Sequence, residues 1–129
     1  MAEYLDDKAY RIYMDETIKT QGFYVSSNYG ATIPCGIVRI MKEDEIKYKN
    51  AECAAKFAVE KYNHEENKKL VFLEIINLNM QATAGALYYI TFKAKDSSSV
   101  EVQIYQTKVW EKINTGYDIK VFRMVMYRG

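Results

Sequence analysis

From residue 70 onward the chain alternates apolar and polar side chains in strand-length runs, joined by connections too short for anything but hairpins. LVFLEIINLNM (70–80) leads through QATAG (81–85) into ALYYITFKAKD (86–96). SSS (97–99) then opens a run over 100–112, and INTGY (113–117) opens the last, over 118–127. Alternation with a period of two puts neighbouring side chains on opposite faces of a sheet. Leu70, Phe72, Ile76 and Leu78 fall on one face of the first run. Tyr88, Ile90, Phe92 and Ala94 fall on one face of the second, with Leu87, Tyr89, Thr91, Lys93 and Lys95 opposite; in the third, Val100, Val102 and Ile104 alternate with polar partners. Connections this short pair consecutive strands antiparallel, so the pattern predicts a meander.

Upstream, CGIVRIM (35–41) is rich in β-branched residues and predicts a short strand. KEDEIKYK (42–49) reads as a charged connection, and a helix is expected to start at Asn50 as its N-cap, with Glu52 favouring the dipole in the first turn. Ala51, Ala54, Ala55, Phe57, Ala58, Val59 and Tyr62 form its apolar stripe, which runs to Asn63. A helix lined with alanine can lie close to a sheet. If it crosses one face, strand 35–41 returns antiparallel beside 70–80. The fold class is α+β: a β-α-β-β-β arrangement with one helix packed on a four- to five-stranded antiparallel sheet.

A further helix is expected over 3–20, with Leu5, Ala9, Ile12 and Tyr13 on one face, Tyr10, Met14 and Ile18 beside them, and Gly22 as its stop. SSNYGATIP (26–34) is a loop by its Ser, Asn, Gly and Pro content. The chain therefore divides into an N-terminal extension, 1–33, and a domain, 34–129.

This topology concentrates three segments at one end of the sheet. With strand 70–80 running upward, QATAG lies at the top, INTGY lies beside it, and Pro34, Cys35 and Gly36 open the neighbouring strand at the same level. Loops carried on a rigid scaffold are the usual seat of binding. The small side chains of QATAG would let the backbone approach a partner closely.

Other function classes find little support. Lys and Arg number 18 against 17 Asp and Glu, a net charge of +1 with no basic stripe, so neither nucleic acid nor an anionic membrane is an expected partner. The first twenty residues are acidic and lack an apolar signal core, and no run reaches the roughly 18 apolar residues of a membrane span. A cytoplasmic setting is expected, with Cys35 and Cys53 as free thiols. Cys53 and His64 are eleven residues apart, about 16 Å along one helix and beyond the reach of a catalytic pair. With Cys35 they lack the paired spacing of a zinc site. KEDE (42–45) is a charged loop without an evident cleft. No enzyme activity, cofactor or metal is expected.

Ala54-Ala55-Lys56-Phe57-Ala58-Val59-Glu60-Lys61-Tyr62-Asn63 is similar to the helix signature of plant cystatins, inhibitors of papain-like cysteine proteases. Gln81-Ala82-Thr83-Ala84-Gly85 resembles their Gln-x-Val-x-Gly hairpin, Leu87-Tyr88-Tyr89-Ile90-Thr91 the strand after it, and Thr107-Lys108-Val109-Trp110 their Lys-Val-Trp strand. The likeness covers about 35–127, in order, and the extension resembles that of the plant cystatin-related proteins. It implies inhibition by a three-segment wedge in the protease cleft, with Cys35 and Gly36 as the N-terminal segment, Gln81 through Gly85 as the first hairpin, and Ile113 and Asn114 as the second. Thr83 stands where Val is usual, Cys35 replaces a second Gly, and Ile113 and Asn114 replace Pro-Trp. Trp110 falls on the strand and not on the wedge. The implied partner is a papain-like cysteine protease and the implied state a monomer, with a domain-swapped dimer opening at the first hairpin as the other form. The alternative function is a non-inhibitory interaction module on the same fold.

Overall fold

The computed structural model describes the backbone of residues 2–125 and the side chains from residue 8 onward. In chain order it contains α1 (Ala2–Thr20), a 3-10 turn (Tyr29–Thr32), β1 (Ile37–Ile40), α2 (Glu45–Glu66), β2 (Leu70–Thr83), β3 (Gly85–Asp96), β4 (Val102–Lys112) and β5 (Gly116–Met124). The five strands form one antiparallel sheet in sequence order, β1-β2-β3-β4-β5. This is the α+β meander that the alternation predicts. The side chain of Leu5 and the last two residues of the expected final strand, 126 and 127, lie outside what is described. No described helix is long and apolar enough to cross a membrane.

The inner face of the sheet carries the main core. Ala51, Ala54, Ala55, Ala58 and Val59 of α2 are buried against Leu78, Tyr88, Ile90, Phe92, Ala94, Tyr105 and Val109. The alanines admit the sheet's aromatic rings beneath the helix. Tyr62 stacks on Phe122 with centroids 4.4 Å apart, and Phe92 on Tyr105 at 5.8 Å. Phe57, expected in the stripe, is 37% exposed and lies over Tyr117 at the helix margin.

Three local expectations need correction. First, α2 begins more than a turn before Asn50. Its N-cap is Asp44, whose carboxylate accepts a hydrogen bond from the Lys47 amide at 3.2 Å, so EIKYK is helical and Asn50 sits inside the helix. Glu and Lys are good helix formers, and Tyr48 extends the buried stripe backward at the helical period. Second, β2 shifts register between Phe72 and Glu74 and again between Ile75 and Asn77. Each shift inserts a residue, so Ile75 faces the core and Ile76 is 41% exposed. Third, α1 buries Tyr13, whereas Tyr10, Ile12 and Ile18 are exposed.

α1 and the segment after it form a third layer on the outer face of the sheet. Tyr13, Phe23, Val25, Ile37 and Tyr89 make a second buried cluster there. Gly22 ends α1 with its amide bonded back to the Thr17 carbonyl at 2.9 Å, and Phe23 then meets Tyr89 edge to face at 5.7 Å. An antiparallel sheet can leave one face to water. Here Tyr89, the aromatic residue on the outer face of β3, is covered by the extension.

α2 closes on β2 through one side chain. Asn63 donates its amide to the Leu70 carbonyl and accepts from the Leu70 amide, both at 2.9 Å. This fixes where β2 starts, and with it the level at which QATAG emerges.

Candidate functional site

The strand registers place the three segments at one end of the sheet. Ile37 pairs with Gln81, Thr83 with Gly85, Gly85 with Lys112, and Lys112 with Gly116. Cys35 therefore lies on one flank of the first hairpin and residues 113–115 on the other. Ala84 is the single residue between the paired Thr83 and Gly85, which makes the tip as thin as a hairpin can be.

Gly85 is required by its surroundings. Its φ is +104°, and a methyl group there would lie 2.0 Å from the Glu111 carbonyl oxygen of β4. The first hairpin thus presses backbone to backbone on the strand leading to the second. Ala82, Thr83 and Ala84 are exposed, while Gln81 and Gly85 are half-buried.

Gln81 ties the hairpin to the N-terminal segment. Its Nε2 donates to the Cys35 carbonyl at 2.9 Å, and its Oε1 accepts from the Tyr89 hydroxyl at 2.7 Å. Burial pushes the Tyr89 hydroxyl up to about 12, with Tyr13 nearby adding to the shift. It therefore stays a donor at neutral pH. Gln81 is the last of a row that sequence reasoning missed. Asn77 Nδ2 donates to the Phe23 carbonyl at 3.0 Å and Asn79 Nδ2 to the Gly22 carbonyl at 2.9 Å. Asn77, Asn79 and Gln81 alternate along the outer face of β2 and clasp the backbone laid across it. The signal was present in NLNMQ (77–81), where three amides share one parity between apolar neighbours.

Gly36 is buried, unlike Cys35 beside it. A methyl group on Gly36 would lie 2.1 Å from the Gly30 carbonyl oxygen, and one on Gly30 would lie 1.9 Å from the Ile37 carbonyl oxygen. The two glycines let the 3-10 turn of the extension sit directly on the start of β1. Tyr13 adds a buried anchor, its hydroxyl accepting from the Ile37 amide at 2.6 Å. Of the N-terminal segment, Cys35 is the part left open, at a φ of +55°.

On the other flank, Ile113 is 64% exposed and Asn114 adopts a left-handed φ of +61°. Asparagine tolerates that conformation better than most residues, so Asn114 serves the turn itself. Beneath this hairpin the Tyr88 hydroxyl donates to the Glu111 carboxylate at 2.5 Å, and burial, then that hydrogen bond, raises its pKa. Glu111 accordingly has an internal partner. Among the described residues, no group of three or more His, Cys, Asp or Glu side chains could hold a metal ion. The edge offers backbone, small side chains and shape for recognition of a surface.

Comparison with known proteins gives two kinds of match. Residues 43–125 match the family described as aspartic acid proteinase inhibitor. A multicystatin of Solanum tuberosum is 37% identical over 82 residues, 64% of this chain and 10% of that protein. Cysteine proteinase inhibitor 1 of Oryza sativa is 38% identical over 58 residues, 45% of this chain and 40% of the relative. A cysteine proteinase inhibitor of Solanum tuberosum is 35% identical over 63 residues, 48% of this chain and 92% of the relative. The matched stretch thus spans a tenth of the multicystatin and two fifths of the rice inhibitor.

Proposed function

The chain belongs to the plant cystatin family of proteinase inhibitors, and from that premise we propose that it inhibits a papain-like cysteine protease reversibly, by wedging one edge of its sheet into the active-site cleft. The observation that carries this reading is the register that sets Cys35, Ala82 through Ala84, and Ile113 with Asn114 side by side at one end of the sheet. The first hairpin would enter deepest, since its tip is one residue wide. It would resist cleavage because Thr83 and Gly85 are paired across the tip, which keeps the chain out of the extended form a protease cuts.

The wedge would be weaker than one carrying a tryptophan. Loss of a hot-spot tryptophan typically costs about 2 kcal/mol or more, over tenfold in affinity. Asn114 is committed to its turn, and Ile113 restores only part of that apolar area. Thr83 fills the volume of a valine but brings a hydroxyl that loses water on burial. Gly36 lies under the extension, so the N-terminal arm of the wedge would consist of Cys35 alone.

A second reading is supported by the match over 43–125 to a family described as aspartic acid proteinase inhibitor. On this reading the same edge, or one beside it, engages an aspartic protease. The wedge mechanism is tested with papain whose catalytic cysteine has been alkylated. The proposal expects the blocked enzyme to bind the chain still, to compete with active papain for it, and to leave it uncut. Binding that disappears on alkylation, or a chain cleaved at 82–85, would refute insertion as a wedge.

A further inference from the structure

Trp110, the single tryptophan of the chain, stands on the outer face of β4 and reaches the tip of the first hairpin. Its indole N–H donates to the Ala84 carbonyl at 2.9 Å. Ala84 is the one tip residue between the paired Thr83 and Gly85, so its carbonyl stands outside the ladder that orders its neighbours. The ring is packed rather than free. Lys112 Nζ lies 5.9 Å and Lys120 Nζ 5.4 Å from its centroid, and Lys120 is held by Asp118 at 2.7 Å. Leu87 is its cross-strand partner on β3.

β4 therefore holds the hairpin twice. The Glu111 carbonyl sets how closely Gly85 approaches, and the Trp110 indole sets where the Ala84 carbonyl points. The first is a steric limit that only glycine meets, since an added methyl group would lie 2.0 Å from that oxygen. The second is directional and selects one orientation of the tip out of those that a small, exposed turn could adopt. A recognition loop held in one orientation before binding gives up less conformational entropy when it binds.

We propose that Trp110 is a positioning residue, whose indole N–H presets the first hairpin in the orientation that enters the partner's cleft. The inference rests on the protease-inhibition reading for its consequence, but not for its structural content. It also gives the strand tryptophan a part in recognition that does not require it to touch the protease.

Trp110→Phe keeps a six-membered aromatic ring for Leu87 and the lysines and removes the N–H together with the five-membered ring that carries it. Two measurements are made on the full chain. In the free protein, nuclear magnetic resonance follows the single indole N–H and the amides of Thr83, Ala84 and Gly85. The wild-type indole should exchange more slowly than a free indole, and the three amides should lose order in Trp110→Phe while the melting temperature holds. With papain, Trp110→Phe should raise the inhibition constant about threefold to tenfold, as expected for one hydrogen bond. Trp110→Ala, which also loses packing, should lower the melting temperature as well. An indole that exchanges at the free rate, or tip amides equally ordered in both proteins, would overturn the proposal whatever papain does. If the wild-type chain fails to inhibit papain while the tip loses order as expected, positioning stands and the protease reading falls. Tip amides that loosen with no change in the inhibition constant would overturn the claim that this orientation matters for binding.

Discussion

Replacing Gly85 with alanine tests whether the hairpin is shaped by contact with β4. Two penalties act on the new methyl group. A φ of +104° is costly for any residue with a Cβ, on the order of 1–3 kcal/mol. The methyl group would also stand 2.0 Å from the Glu111 carbonyl oxygen, which belongs to backbone and not to a flexible side chain. Glu111 is paired with Ala86 on one side and Tyr117 on the other, so it cannot retreat alone. Relief requires giving up the pairing of Gly85 with Lys112, which is worth about 1 kcal/mol per hydrogen bond. The sum is about 2–4 kcal/mol. Gly116→Ala supplies the control, because Gly116 has a φ of +86° but nothing within 4 Å of an added methyl group. It should cost only the backbone strain, about 1–2 kcal/mol. Urea denaturation reads both variants. Gly85→Ala should lower the midpoint more than Gly116→Ala, with the slope preserved, and inhibition of papain should fall more than tenfold. Equal midpoints for the two variants would refute the close backbone contact, and with it the account of why the loop is thin.

Three further outcomes follow from named contacts. Asp44→Ala should destabilise the domain by about 0.5–2 kcal/mol through loss of the N-cap, whereas Asn50→Ala, inside α2, should be neutral or slightly stabilising in the same thermal melts. Tyr13→Phe removes the acceptor for the buried Ile37 amide and should cost about 1–3 kcal/mol by urea denaturation, with the exchange protection of the Ile37 amide reduced. The folded pKa of Tyr89, raised by burial to about 12 from 10.0, means that the native state keeps a proton the unfolded chain releases near pH 10. Its contribution is full below about pH 10 and is lost as the pH climbs toward 12, so the urea midpoint should fall across that window, and less steeply in Tyr89→Phe.

The meander was legible because alternation and short turns leave few ways to pair strands. The convergence of three segments followed from loop lengths alone. The two register shifts of β2 were not legible, because LEIIN offers isoleucine at consecutive positions and hydrophobicity does not say which one faces the core. The early start of α2 was hidden by charge. Lys and Glu read as a connection, yet both favour helix, and Tyr48 carried the helical period that would have placed Asp44 as the cap. In α1 the many apolar residues obscured the one that matters, since Tyr13 is chosen by its hydrogen bond to Ile37 as much as by its ring. The site was legible as positions but not as contacts. Gln81 could be matched to a motif, but its bond to Cys35 depends on chain brought alongside from far away in the sequence, and its bond to Tyr89 on the exact β2–β3 register. Gly36 could be matched likewise, but its burial depends on Gly30, which no periodicity links to it.

The most direct test of the account is a dose–response titration of the full chain against papain, run beside the same titration against pepsin. The account predicts competitive, reversible inhibition of papain at micromolar concentration or below, with pepsin unaffected. A flat papain curve up to tens of micromolar would contradict it, and inhibition of pepsin alone would give the edge to an aspartic protease instead.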